Sequence, residues 1–189
     1  ALRTVLSPAM TRTGKHQPVW DPLAKDRTQI SFIDVKRAHF NAKIDPESPP
    51  VFVELPHDDA DCGTKCAQLL RHMYGTRGAA DGWQEEYSTM LLSLGFHQGE
   101  SCPNVFWHPV KDICCSVHGD DFTSSGACPT LDWMDTEIAK HYEITVQPRM
   151  GPGPSDAKEG RSLNRVVRWL DGRIEYEADP RQSERLISE

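Results

Sequence analysis

Two spacings of apolar residues share this chain, and together they predict a mixed α and β protein. The segments Gln29–Asp34, Val51–Leu55, Val105–His108 and Ile113–Val117 are short runs rich in β-branched and aromatic residues, and each predicts a strand. Leu2, Val5, Leu6, Ala9 and Met10 recur at helical spacing over residues 2–12, where Pro8 kinks the pattern because it has no amide hydrogen. Trp83, Tyr87, Met90, Leu91 and Leu94 fall on one helical face that Gly95 closes, and Asp81 with Gln84 resembles a capping box. Leu131, Met134, Ile138 and Tyr142 mark another helix, and Glu143–Val146 a brief strand. Val166–Leu170 and Ile174–Glu177 flank Asp171-Gly172, a strong hairpin signal, and Asp179-Pro180 predicts the start of a last helix. Residues 14–28 and the Pro- and Gly-rich residues 148–160 read as loops. Strands interleaved with helices without strict alternation predict an α+β fold, a sheet with helices packed on one face.

Chemistry first shows at Gly119-Asp120-Asp121, where two short strand-like runs meet. Gly and Asp tolerate the positive φ of a tight hairpin turn. Paired carboxylates repel unless a cation lies between them, and Mg²⁺ favours such oxygens. Taken alone, the pair also fits a solvated turn. Asp34, the last residue of the first buried strand, alters that balance, because adjacent strands would bring it beside the hairpin. Three carboxylates there would hold two Mg²⁺ (or Mn²⁺) ions roughly 3.5–4 Å apart, the arrangement used for in-line phosphoryl transfer. His57, Cys62 and Cys66 raise a separate possibility, a Cys/His metal-binding interaction module, although their spacing matches no paired Cys-x-x-Cys site.

Composition narrows the class. The 189 residues fit one domain, 1–189, and 38% hydrophobic with 26% charged residues suits a soluble globular protein. No apolar run reaches membrane-spanning length and no signal-peptide pattern opens the chain, so no membrane partner is expected. Six cysteines include the adjacent Cys114 and Cys115, which a strand would point to opposite faces; they read as reduced thiols of an intracellular protein. The formal charge of −7 opposes strong nucleic-acid binding by the chain alone. Lys36, Arg37, His39 and Lys43 form a local basic cluster on this acidic background, which a solvated turn would equally explain.

Phe32-Ile33-Asp34-Val35-Lys36-Arg37-Ala38-His39-Phe40 resembles the first palm motif of reverse transcriptases of copia-type long-terminal-repeat retrotransposons. Met73 to Ala80 followed by Trp83 resembles that family's Leu-Tyr-Gly-Leu-Lys-Gln-Ala-Pro segment and its Trp. Val117 to Asp121 resembles its Tyr-Val-Asp-Asp hairpin, Pro50 to Pro56 its Met-Glu-Gln-Pro strand, and Gly95-Phe96 with Glu100-Ser101 its Gly-Phe…Ser-Asp element. Order and spacing agree over roughly residues 1–189.

The resemblance implies a right-handed polymerase palm, with fingers and thumb largely missing, that copies an RNA template onto a DNA primer using dNTPs. It implies Asp34, Asp120 and Asp121 as catalytic metal carboxylates and the backbone carbonyl of Val35 as a further ligand. Lys36 and Arg37 would lie near the triphosphate, His39 where an aromatic excludes ribonucleotides, and Gly78 where a Gln contacts the nucleotide. The remainder of a retroelement polyprotein would be a partner, in a cytoplasmic particle or the nucleus. Four positions depart from the family: His118 replaces an aromatic, Gly119 a Val, Gly78 the Gln and Ala80 a Pro. A folded but non-catalytic remnant of such an element is the competing expectation.

Overall fold

The computed structural model describes residues 1–13, 15–177 and 187, so the helix expected from Asp179-Pro180 lies outside the described residues. The chain forms two compact units, one of residues 1–36 with 91–189 and one of residues 37–90. In chain order the elements are α1 (Leu2–Leu6), β1 (Thr28–Val35), β2 (Phe52–Glu54), β3 (Cys66–Gln68), α2 (Ala79–Ser93), β4 (His97–Gln98), β5 (Val105–His108), β6 (Ile113–His118), β7 (Asp121–Ala127), α3 (Cys128–His141), β8 (Ile144–Val146), β9 (Glu159–Ser162), β10 (Arg165–Leu170) and β11 (Arg173–Tyr176). The fold is α+β, as expected. Its centre is a six-stranded antiparallel sheet in the order β4-β5-β6-β7-β1-β8.

The expected placement of helices on one face is corrected by the register of β1. Ser31 Oγ lies 3.4 Å from Asp135 Oδ1 on α3, so Ser31, and Ile33 two residues on, face that helix. Leu131, Met134 and Ile138 of α3 are fully buried against this side. The alternate residues Ile30 and Phe32 face the other way, into a cluster with Leu2, Leu6, Ala9, Met150, Val167 and Trp169. Ser125, the partner of Ile30, donates to the carbonyl of Val5, and Thr123, the partner of Phe32, bonds Ser162 on β9. The sheet is thus covered on one face by α3 and on the other by α1 and the three-stranded sheet β11-β10-β9. A strand buried on both faces reads as a nearly continuous apolar run, which is what Ile30 to Val35 shows in the sequence.

Local corrections have local causes. The expected helix over 2–12 ends at Leu6 and tightens into a 3₁₀ turn over Ser7–Ala9, where Pro8 removes a helical hydrogen bond. Thr28 belongs to β1, so the first loop stops at Arg27. Glu159 and Gly160 belong to β9, so the second loop is shorter than 148–160. That loop is tied down: Met150 exchanges backbone hydrogen bonds with Ile30, and Arg27 holds Asp156 at 2.6 Å. Asp81 lies inside the first turn of α2 instead of capping it.

In the second unit β2 and β3 pair as a two-stranded sheet. Arg37, with φ of 54°, turns the chain into a 3₁₀ helix over Ala38–Asn41. Trp83 and Tyr87 are buried in α2 and meet edge to face, with ring centres 5.5 Å apart.

Candidate metal centre

The site grows from a hairpin with a two-residue turn. His118 closes β6, Gly119 and Asp120 make the turn, and Asp121 opens β7 directly opposite His118. Gly119 has φ of 61°, a conformation that costs an L side chain energy and glycine nothing. Val117 and Phe122 are buried immediately below, which fixes the turn to the sheet core.

β1 delivers the third carboxylate by register alone. Asp34 pairs with Asp121 across the β1–β7 ladder, and its other neighbour is Thr145 on β8. The amide of Val35 donates to the carbonyl of Asp120 at 2.9 Å, stitching the end of β1 to the turn. Direct antiparallel partners point to one face, so His118, Asp121, Asp34 and Thr145 form a row on the side opposite α3.

Carboxylate oxygens of Asp34, Asp120 and Asp121 lie within 4.8 Å of one another, the one such grouping of three His, Cys, Asp or Glu side chains among the described residues. No Lys or Arg among the described residues forms an ion pair with any of them. Partial burial pushes the Asp121 carboxyl above the usual carboxylate range, the charges of Asp120 and Asp34 push it the same way, and His118 opposes them. Three clustered oxygen donors without a neutralising side chain suit a hard divalent cation such as Mg²⁺ or Mn²⁺.

The residues expected around a triphosphate are distributed otherwise. Val35 is buried beside the triad. Lys36 Nζ contacts Glu143 Oε1 at 2.8 Å, and its amide donates to the Glu143 carbonyl, so its head group is already engaged. Arg37, His39 and Gly78 belong to the second unit. His39 meets Tyr74 edge to face with centres 4.2 Å apart, and its Nδ1 is buried without a hydrogen-bond partner among the described residues. Gly78 lines an open cleft of about 950 Å³, where Asp45, Asp81, Glu85 and Glu86 outnumber Lys43 and Arg77.

His57 Nδ1 and Cys62 Sγ lie 3.9 Å apart, but Cys66 is exposed on β3 and joins no metal-capable group of three with them. All six cysteines are unpaired, and burial pushes the Cys115 thiol up to about 12. No helix among the described residues is long and apolar enough to cross a membrane. Sequence reasoning missed Thr145, which the pairing of β8 with β1 sets opposite Asp34, and Glu143, which engages Lys36; neither carries a motif.

Neither the models of known protein families nor the curated proteins compared with this chain match it.

Proposed function

We propose that this chain carries the palm of an RNA-directed DNA polymerase of the copia type, whose chemistry is transfer of a dNTP onto a primer 3′-hydroxyl. The convergence of Asp34, Asp120 and Asp121 at one end of the sheet is the observation that carries this reading. The ordered resemblance from Phe32 to Asp121 names the family, with RNA template, DNA primer and dNTPs as partners. Asp34, Asp120 and Asp121, with the Val35 carbonyl, would hold the cations; Mg²⁺ or Mn²⁺ bound there supplies acidification of the attacking hydroxyl and neutralisation of the phosphates. The chain's own part is to keep those oxygens in place, through the Val35–Asp120 hydrogen bond and the buried Phe122. Lys36 serves a triphosphate only by exchanging Glu143 for it.

The competing reading, a folded remnant without activity, draws support from the charge of −7 and from the acidic cleft around Gly78. Binding of a fluorescent dNTP separates the two. The polymerase reading expects binding that requires Mg²⁺ or Mn²⁺ and is lost in Asp34→Asn and Asp120→Asn. Binding that ignores both cation and substitution, or no binding at all, favours the remnant.

A further inference from the structure

A cavity of about 460 Å³ lies within the first unit, and its chemistry differs from that of the acidic row. Its walls are apolar and largely aromatic: Met10, Trp20, Pro22, Pro152 and Trp169. Both indoles are anchored. Trp20 Nε1 donates to the Ala9 carbonyl at 2.8 Å, and Trp169 is only 6% exposed, with its amide donating to the Lys158 carbonyl. Two prolines and two anchored indoles need little further ordering when a ligand enters, which lowers the cost of binding. An apolar cavity of this size with a few polar groups on its lining has the form of a small-molecule site.

Charge selects the ligand class. Lys158 lines the cavity, and its ammonium donates to the carbonyls of Gly151 and Gly153 at 2.7 and 2.8 Å. An ammonium carries three N–H donors, so one is left over. Arg27, Lys36, Arg149 and Arg168 each face a carboxylate, whereas Lys158 faces none among the described residues. The Arg12 guanidinium, 5.0 Å from the centre of the Trp20 ring, is a second cation at this wall without a carboxylate partner among the described residues. The one opposing charge on the lining is Asp171, exposed on the turn between β10 and β11. We propose that this cavity binds a small planar aromatic anion, its ring against Trp20 and Trp169 and its carboxylate on the remaining donor of Lys158. Hydrogen bonds of that charge-assisted kind are about twice as strong as neutral ones. An aromatic cation would meet Lys158 and Arg12 instead. The site shares no residue with the carboxylate triad and stands independently of the polymerase reading.

Naphthoate, naphthylmethanol and naphthylmethylamine, titrated separately into the full chain, test this with one ring system and three charges. The indole N–H resonances are the readout. The chain has five tryptophans, so the site reports its own position: Trp20 and Trp169 should shift, and Trp83, Trp107 and Trp133 should not. Naphthoate should bind about tenfold or more tighter than the alcohol, the scale of a hydrogen bond to a charged group, and the amine should bind weakest. Lys158→Met should bring acid and alcohol to the same affinity. Because that change also releases the carbonyls of Gly151 and Gly153, Asp171→Asn is the second variant; Asn-Gly suits the same turn. It should tighten naphthoate by about twofold, the scale of one exposed charge, and leave the alcohol unmoved. Equal binding of acid and alcohol, tightest binding of the amine, shifts confined to the other three indoles, or no saturable shift overturns the proposal. So does a preference for the acid that survives Lys158→Met, or a naphthoate affinity that Asp171→Asn leaves unchanged.

Discussion

Asp34 and Asp121 face each other directly across the β1–β7 ladder. Residues 87 apart in sequence are thereby held one strand spacing apart by backbone hydrogen bonds, without any contact between their side chains being needed. A carboxylate pair built this way is repulsive, and in the proposed site a bound cation would relieve that repulsion.

That repulsion should be measurable as stability. A carboxyl whose native pKa is raised holds its proton more tightly folded than unfolded, so stability falls as pH rises from the ordinary carboxylate value through the raised one. Asp121→Asn should stabilise the cation-free chain at neutral pH by up to about 1 kcal/mol, a figure kept small by water screening of a half-buried group. Below the ordinary carboxylate range the gain should vanish, and saturating Mn²⁺ should reverse it. Urea unfolding at neutral and acid pH, with and without Mn²⁺, reads all three.

The part-buried pair of Arg27 and Asp156 works in the opposite sense. Hydrogen bonds from Arg27 hold the Asp156 carboxyl below its ordinary range, against the effect of burial. Its contribution is complete above the ordinary carboxylate pKa and is lost as pH falls through the lowered one. Asp156→Asn leaves a part-buried guanidinium without its charge partner and should cost about 1–2 kcal/mol at neutral pH. Urea midpoints at neutral pH check this; an unchanged midpoint would mean that Arg27 finds another partner.

Leu163 and Asn164, both at positive φ, connect β9 to β10. A leucine is strained there, whereas asparagine adopts the same geometry readily. Leu163→Asn should raise stability by about 1 kcal/mol, read as a higher thermal midpoint. A lower midpoint would show that packing of the leucine outweighs its backbone strain.

Primer extension by this chain alone should stay at the level of Asp120→Asn. Phosphate neutralisation by Lys and Arg supplies much of nucleic-acid affinity, and a chain of formal charge −7 has little to offer. Robust extension of oligo-dT on poly-rA by the chain, abolished by Asp120→Asn, would contradict this.

The central strands, the Gly119-Asp120 turn and the apolar stripes of α2 and α3 were legible in the sequence because each buries a periodic face. Asp34 was legible as a strand-end carboxylate, and its register with Asp121 followed once β1 and β7 paired. The strand β9 was not legible. Glu159-Gly160-Arg161-Ser162 has no strand propensity and is held by its ladder to β10 and by side-chain bonds from Thr123 and Gln147, with Gly160 leaving room for the Phe32 ring. The second cover of the sheet was missed for the same reason, since it depends on that pairing. The engagement of Lys36 by Glu143 was equally hidden, because nothing in either residue's neighbourhood announces a partner 107 positions away.

Calorimetric titration of Mg²⁺ into the chain and into Asp34→Asn and Asp120→Asn tests the central claim most directly. The account predicts saturable binding by the parent and an affinity about tenfold or more weaker in each variant, since both carboxylates belong to one cation site. Equal affinity in all three proteins, or no binding by the parent, would contradict it.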